Sequence, residues 1–96
     1  MNKYESIIII KPTTNENDID NIIDKVKSIV NEDGEITEVQ KLGLKKLAYK
    51  IGDSKEGYYI VFEVKAKPEL IKELERYYRI TEDIIKFITV RCDDED

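Results

Sequence analysis

Tyr58-Tyr59-Ile60-Val61-Phe62-Glu63-Val64-Lys65-Ala66 decides the fold. Successive side chains of a strand point to opposite faces, so Tyr58, Ile60, Phe62, Val64 and Ala66 form one wholly apolar face. Tyr59, Val61, Glu63 and Lys65 form the other, which is only half apolar. Upstream, Gly52-Asp53-Ser54-Lys55-Glu56-Gly57 is rich in turn formers and closes a hairpin. The partner strand spans Glu35 to Ile51, but its apolar residues slip out of phase twice, between Ile36 and Val39 and between Leu44 and Leu47. Each slip reverses the face that receives the next side chain, which predicts a bulge or bend near Gly43 to Lys46.

Further out, the period changes from two to three and four. Ile19, Ile22, Ile23, Val26, Ile29 and Val30 form one stripe of a helix, capped by Thr14 or Asn15, with Glu16 and Asp18 in its first turn and Gly34 as its stop. Pro68 starts a second helix whose stripe is Leu70, Ile71, Leu74, Tyr77 and Tyr78. Tyr4 to Lys11, with four consecutive isoleucines ended by Pro12, is a central strand, and Ile84 to Arg91 is the last strand. The order βαββαβ predicts an α+β, ferredoxin-like fold, a four-stranded antiparallel sheet with two helices on one face and the first and third strands in the middle. If Ile8 and Ile10 join Ile60, Phe62 and Val64 in the core, then Ile7, Ile9, Tyr59 and Val61 form an apolar patch on the face that the helices leave open. A monomer seldom leaves such a patch bare, which makes it a candidate docking surface for another protein. The stems of Lys11, Glu63 and Lys65 offer an alternative cover.

Ninety-six residues, 41% apolar and 39% charged, suffice for one two-layer core, expected over residues 1–91. Residues 92–96 end in Asp93-Asp94-Glu95-Asp96, a run of like charge expected to be disordered. A net charge of −5 argues against binding nucleic acid or anionic membrane over the whole surface, so any such contact must be local. The single cysteine, Cys92, excludes an internal disulfide and a cysteine-based zinc site and fits a reducing cytosol. No run is apolar enough to serve as a signal peptide or membrane span, so the expected location is the cytoplasm, without a membrane partner.

Against this acidic background, Lys41-Leu42-Gly43-Leu44-Lys45-Lys46-Leu47-Ala48-Tyr49-Lys50 carries four lysines and no acid. A short cationic segment in an acidic chain suits an anion, and in a non-catalytic protein that anion is usually a phosphate backbone. The same spacing also fits an edge strand whose lysines discourage pairing between sheets. Catalysis finds little support. There is no histidine, Ser6, Ser28 and Ser54 have no partner at recognisable spacing, and no glycine loop opens a helix. Asp18, Asp20 and Asp24 are spaced as a solvated helix face, without a calcium-loop pattern. The expectation is a non-enzyme with no cofactor, no metal and no small-molecule substrate.

The RNA recognition motif shares this order of elements. Of its third-strand pattern, Glu56-Gly57-Tyr58-Tyr59-Ile60-Val61-Phe62-Glu63 matches only Gly57, Tyr58 and Val61, and Glu63 stands where a stacking aromatic belongs. Base stacking on the sheet is therefore not expected.

Four stretches resemble one known family: Tyr4-Glu5 in the first strand, the ten-residue run Leu42 to Ile51, Gly57-Tyr58-Tyr59 after the hairpin, and Arg79-Ile80 before the last strand. The family is that of ribosomal protein number six of the bacterial small subunit, and the resemblance extends from about Lys3 to Val90. It implies a structural protein, cytoplasmic and ribosome-associated, that binds small-subunit ribosomal RNA together with ribosomal protein number eighteen. It further implies that Lys45 and Lys46 approach RNA phosphates, with Lys3 matching the family's basic start in part, since Asn2 follows Met1 where a second basic residue is common. Lys50, Arg79, Lys86 and Arg91 are the further candidates for a cationic edge. Ile7, Ile9, Tyr59 and Val61 are the candidate contacts to the companion protein. A different class of function remains compatible with the residues: a ferredoxin-like regulatory module that self-associates through the apolar face and binds a small anion at the lysines.

Overall fold

Asn15 fixes where the first helix begins. Its extended backbone (φ −79°, ψ 166°) and its side-chain oxygen, which accepts a 2.8 Å hydrogen bond from the Asp18 amide, cap a helix with Glu16 and Asp18 in the first turn. In the computed structural model, described over residues 1–92, the chain runs β1 (Asn2–Ile10), α1 (Glu16–Val30), β2 (Glu35–Ile51), β3 (Ser54–Ala66), α2 (Pro68–Ile80) and β4 (Ile84–Arg91). The acidic run Asp93 to Asp96 lies outside the described residues. Helix α1 ends at Val30 with Asn31 as its cap, three residues before the expected stop at Gly34. Pro68 occupies the start of α2, where the missing N–H costs nothing.

The strands pair antiparallel in the order β2-β3-β1-β4, so β1 and β3 are central and the predicted ferredoxin-like arrangement holds. Ile8, Ile10, Ile60, Phe62, Val64 and Ala66 face the helices, which lay Ile19, Ile22, Ile23, Val26 and Val30 of α1 and Leu70, Ile71, Leu74 and Tyr78 of α2 against them. Among the described residues Ser6 is the one polar residue wholly inside, and its hydroxyl shares a 2.7 Å hydrogen bond with that of Tyr78. Burial pushes the Tyr78 phenol far above its usual range, the bond to Ser6 opposing this in part, so the ring stays neutral. Among the described residues no helix is long and apolar enough to cross a membrane.

The hairpin differs most from its sequence reading. Strand β3 starts at Ser54, four residues before Tyr58, and β1 pairs with β3 only up to Ile10 opposite Tyr58. The outer part of β2 and β3, residues 45–57, is therefore a two-stranded arm without a third strand beside it. Its ladder shifts register at three places, between Ile36 and Glu38, Lys41 and Gly43, and Lys46 and Ile51. The first is the expected slip; the other two flank the bend predicted within Gly43 to Lys46. Gly43 follows the second shift with φ +85°, a conformation that favours glycine. At the third shift, Lys46 pairs with Glu56 and Ile51 with Ser54. Four residues of β2 thus face a single residue of β3, and this excess of length on one side bends the arm.

Candidate nucleic-acid interface and docking face

The bent arm folds back across the sheet. Leu47, Ala48, Tyr49 and Ile51 meet Ile7, Ile9, Tyr59, Lys86 and Ile88 around a hollow of about 270 Å³ on the face opposite the helices. Lys86, paired with Ile9 on the far edge strand β4, donates a short hydrogen bond to the Tyr49 hydroxyl and places its ammonium 5.0 Å from the ring centroid. The two edges of the sheet are thus latched together over its open face by an ammonium and a phenol hydroxyl.

This latch corrects one sequence expectation. Ile9, expected to lie bare, is only 6% exposed, and a Cβ at Gly57 would stand 2.2 Å from its Cγ2. The chain's own arm covers it, which neither Lys11 nor the stems of Glu63 and Lys65 were needed to do. Ile7, Tyr59 and Val61 remain half-buried, and the register places Ile88 opposite Ile7 and Val90 opposite Glu5 on the same face. Ile88 and Val90 are 46% and 45% exposed, so the uncovered apolar surface extends from β3 and β1 onto the β4 edge. Sequence reasoning missed this extension, although the alternation Lys86, Ile88, Val90 carries the signal.

The cationic candidates separate into groups. Lys41 is neutralised by Asp20 of α1 at 3.3 Å, which removes it from the lysine run. Lys45, opposite Gly57, and Lys46, opposite Glu56, are exposed, as is Lys50 on the arm, and among the described residues no ion pair engages any of the three. Lys86 joins them through Tyr49. Lys3 and Arg91 belong to the other end of the sheet, where Lys3 pairs with Lys65, and Arg91 donates a 3.0 Å hydrogen bond to Asn2 Oδ1. Arg79 is on α2, 3.9 Å from Glu75 and 5.7 Å from the centroid of the Phe87 ring, and does not join the arm. Lys46 and Lys50 thus border one hollow, Lys45 neighbours them on the same arm and Lys86 reaches the arm through Tyr49, while Lys3, Arg79 and Arg91 lie elsewhere. Among the described residues no group of histidine, cysteine, aspartate or glutamate side chains has the arrangement of a metal site.

Residues 3–91 match a family model described as Ribosomal protein S6. The chain is 38% identical over 95 residues to the small ribosomal subunit protein bS6 of Caldanaerobacter subterraneus subsp. tengcongensis, covering 98% of this chain and all of that one. It is 45% identical over 92 residues to the bS6 protein of Helicobacter hepaticus, covering 95% of this chain and 67% of the longer relative. The crystal structure of 30S ribosomal protein S6 from Thermotoga maritima superposes with a TM-score of 0.88 at 36% identity, covering 95% of this chain and 87% of that chain. A protein from Arabidopsis thaliana, 15% identical with a TM-score of 0.60, shares the fold alone.

Proposed function

The chain belongs to the ribosomal protein S6 family of the small subunit, and from that premise we propose that it binds small-subunit ribosomal RNA through the arm and a companion, ribosomal protein number eighteen, through the open face of its sheet. The carrying observation is one of charge: a chain of net −5 displays Lys45, Lys46 and Lys50 on a single projecting arm, exposed and without an ion pair among the described residues. Lysines of this kind contact phosphates, which fixes orientation and affinity but reads no bases, so recognition proceeds by the shape of the RNA backbone. Acid over the remaining surface repels RNA and confines the contact to the arm.

The companion's place is Ile7, Tyr59 and Val61 with Ile88 and Val90, while Ile9, covered by the arm, takes no part. Burying apolar surface there yields about 25 cal/mol per Å² removed from water. Lys86 acts with the arm, while Lys3 and Arg91 form a second, smaller basic spot and Arg79 at the end of α2 is the least connected of the candidate RNA contacts. In this role the protein is ribosome-associated in the cytoplasm, and its contribution is structural. The test is a gel-shift titration with small-subunit RNA. Lys45→Glu combined with Lys46→Glu is expected to weaken binding at least about tenfold at low salt while thermal unfolding is unchanged, because two phosphate contacts become repulsive. Unchanged affinity would remove the arm from the RNA interface.

A further inference from the structure

Tyr49 stands between two hollows. The smaller lies over Ile7, Ile9 and Tyr59 and is bordered by Lys86. The larger, of about 800 Å³, runs between the arm and the turn at Pro12 and Thr13 that leads from β1 to α1. Lys86 borders the smaller hollow only, and its ammonium meets the Tyr49 ring at its hydroxyl edge, so it covers neither face. The ring also borders the larger hollow. Tyr49 is 61% exposed, so its position there does not serve the core.

The larger hollow combines a flat floor with an anion-seeking rim. Pro12 and Leu47 border it beside Tyr49, and Lys46, Lys50 and Lys55 surround them against two acids, Asp53 and Glu56. Among the described residues no ion pair takes up any of the three lysines. Its volume is within the range of about 300–1,000 Å³ typical of sites for small ligands. A side chain from a partner protein would fill the apolar part and leave the cations without a counter-charge. A nucleotide supplies both parts, a ring for the tyrosine and a phosphate for the lysines.

We propose that this hollow seats one unpaired nucleotide of RNA, its base stacked on the exposed ring of Tyr49 and its flanking phosphates held by Lys46, Lys50 and Lys55. The inference rests on the reading of the arm as an RNA surface and adds what backbone contacts alone do not give, a preference for a bulged or looped nucleotide over a continuous duplex. Lys86 steadies the ring from its edge by holding the hydroxyl. A paired base has no open face to offer, so a duplex cannot use the site.

The test uses the full chain and two labelled RNAs of equal length, an unstructured single strand and a hairpin duplex, followed by fluorescence anisotropy at one fixed, low salt concentration. Tyr49→Ala is expected to weaken single-strand binding about tenfold more than duplex binding, the size of one lost base stack. Tyr49→Phe, which keeps the ring, is expected to retain the single-strand preference. Equal losses on both RNAs, or none, would overturn the pocket. So would a Tyr49→Ala variant that keeps its oligonucleotide affinities but fails to pair with the companion protein, since the hollow would then belong to a protein contact. Lys45→Glu, outside the hollow, separates the two claims. If it weakens duplex binding while Tyr49→Ala changes nothing, the RNA-binding arm stands and the nucleotide pocket falls; if it changes nothing on either RNA, the arm reading itself fails.

Discussion

Ser6 and Tyr78 form a hydroxyl pair inside the core, and each satisfies the other across the interface between β1 and α2. Ser6→Ala removes a small group but leaves a buried phenol without a partner, a loss of about 1–3 kcal/mol. Urea denaturation is expected to show that cost for Ser6→Ala, and a smaller combined cost than the sum of the single changes once Tyr78→Phe is added, because the orphaned hydroxyl is then gone. The same phenol makes stability depend on pH. Burial holds its folded pKa above the unfolded value of 10.0, so its contribution is fully present below that pH. As the pH rises further, the unfolded chain ionises while the folded one keeps its proton, and the contribution is lost. Tyr78→Phe is accordingly expected to lose stability less steeply than the parent protein above pH 10.0. Chemical denaturation across the alkaline range measures the difference in slope.

The arm was only partly legible, and the reason is the length over which its signal acts. Phase slips between Ile36 and Val39 and between Leu44 and Leu47 were visible because each reverses the local alternation of apolar residues; the first matches the register shift between Ile36 and Glu38, and the second runs into the shift that begins after Lys46. The consequence of the third shift was not visible, since the apolar residues Leu47, Tyr49 and Ile51 alternate as an ordinary strand would and nothing in their spacing says that they cross to another part of the sheet. The cover over Ile9 is thus a contact between distant elements. Gly57 shows how the two are joined: it was assigned to the turn as a loop glycine, yet it is buried in β3 with no room between it and the β-branched, rotamer-restricted Ile9. Gly57→Ala is expected to destabilise the protein by about 1–3 kcal/mol through overpacking. It should also lift the arm, seen as faster amide hydrogen exchange in residues 45–57 with α1 and α2 unaffected. Equal acceleration throughout the molecule would mean that the arm is not an independent unit. The uncovered apolar face was legible at Ile7, Tyr59 and Val61 from alternation in the central strands, whereas Ile88 and Val90 were overlooked because an edge strand was given no part in it.

On the scale of the whole molecule, the sheet separates two kinds of free energy. In the proposed function, RNA contact at the arm is ionic and is expected to weaken as salt competes for the phosphates, while docking of a companion on the open face is apolar and is expected to be nearly indifferent to salt. The two regions nevertheless share one lid, because the arm that presents Lys45 and Lys46 also roofs Ile9 and borders Tyr59. Tyr59 has Ile9 as its neighbour on β1 and Gly43 on β2, and its half-buried ring faces away from the helices. Placing a carboxylate there forces either the companion or the arm to bury an unpaired charge, at a cost of several kcal/mol. Tyr59→Asp is therefore expected to abolish the heterodimer in size-exclusion chromatography at both low and high salt, whereas Lys45→Glu with Lys46→Glu leaves heterodimer formation intact and impairs RNA binding alone. A heterodimer that survives Tyr59→Asp would move the companion off this face. One that dissolves as salt is raised would show that charge, and not the apolar surface of β1, β3 and β4, holds it together.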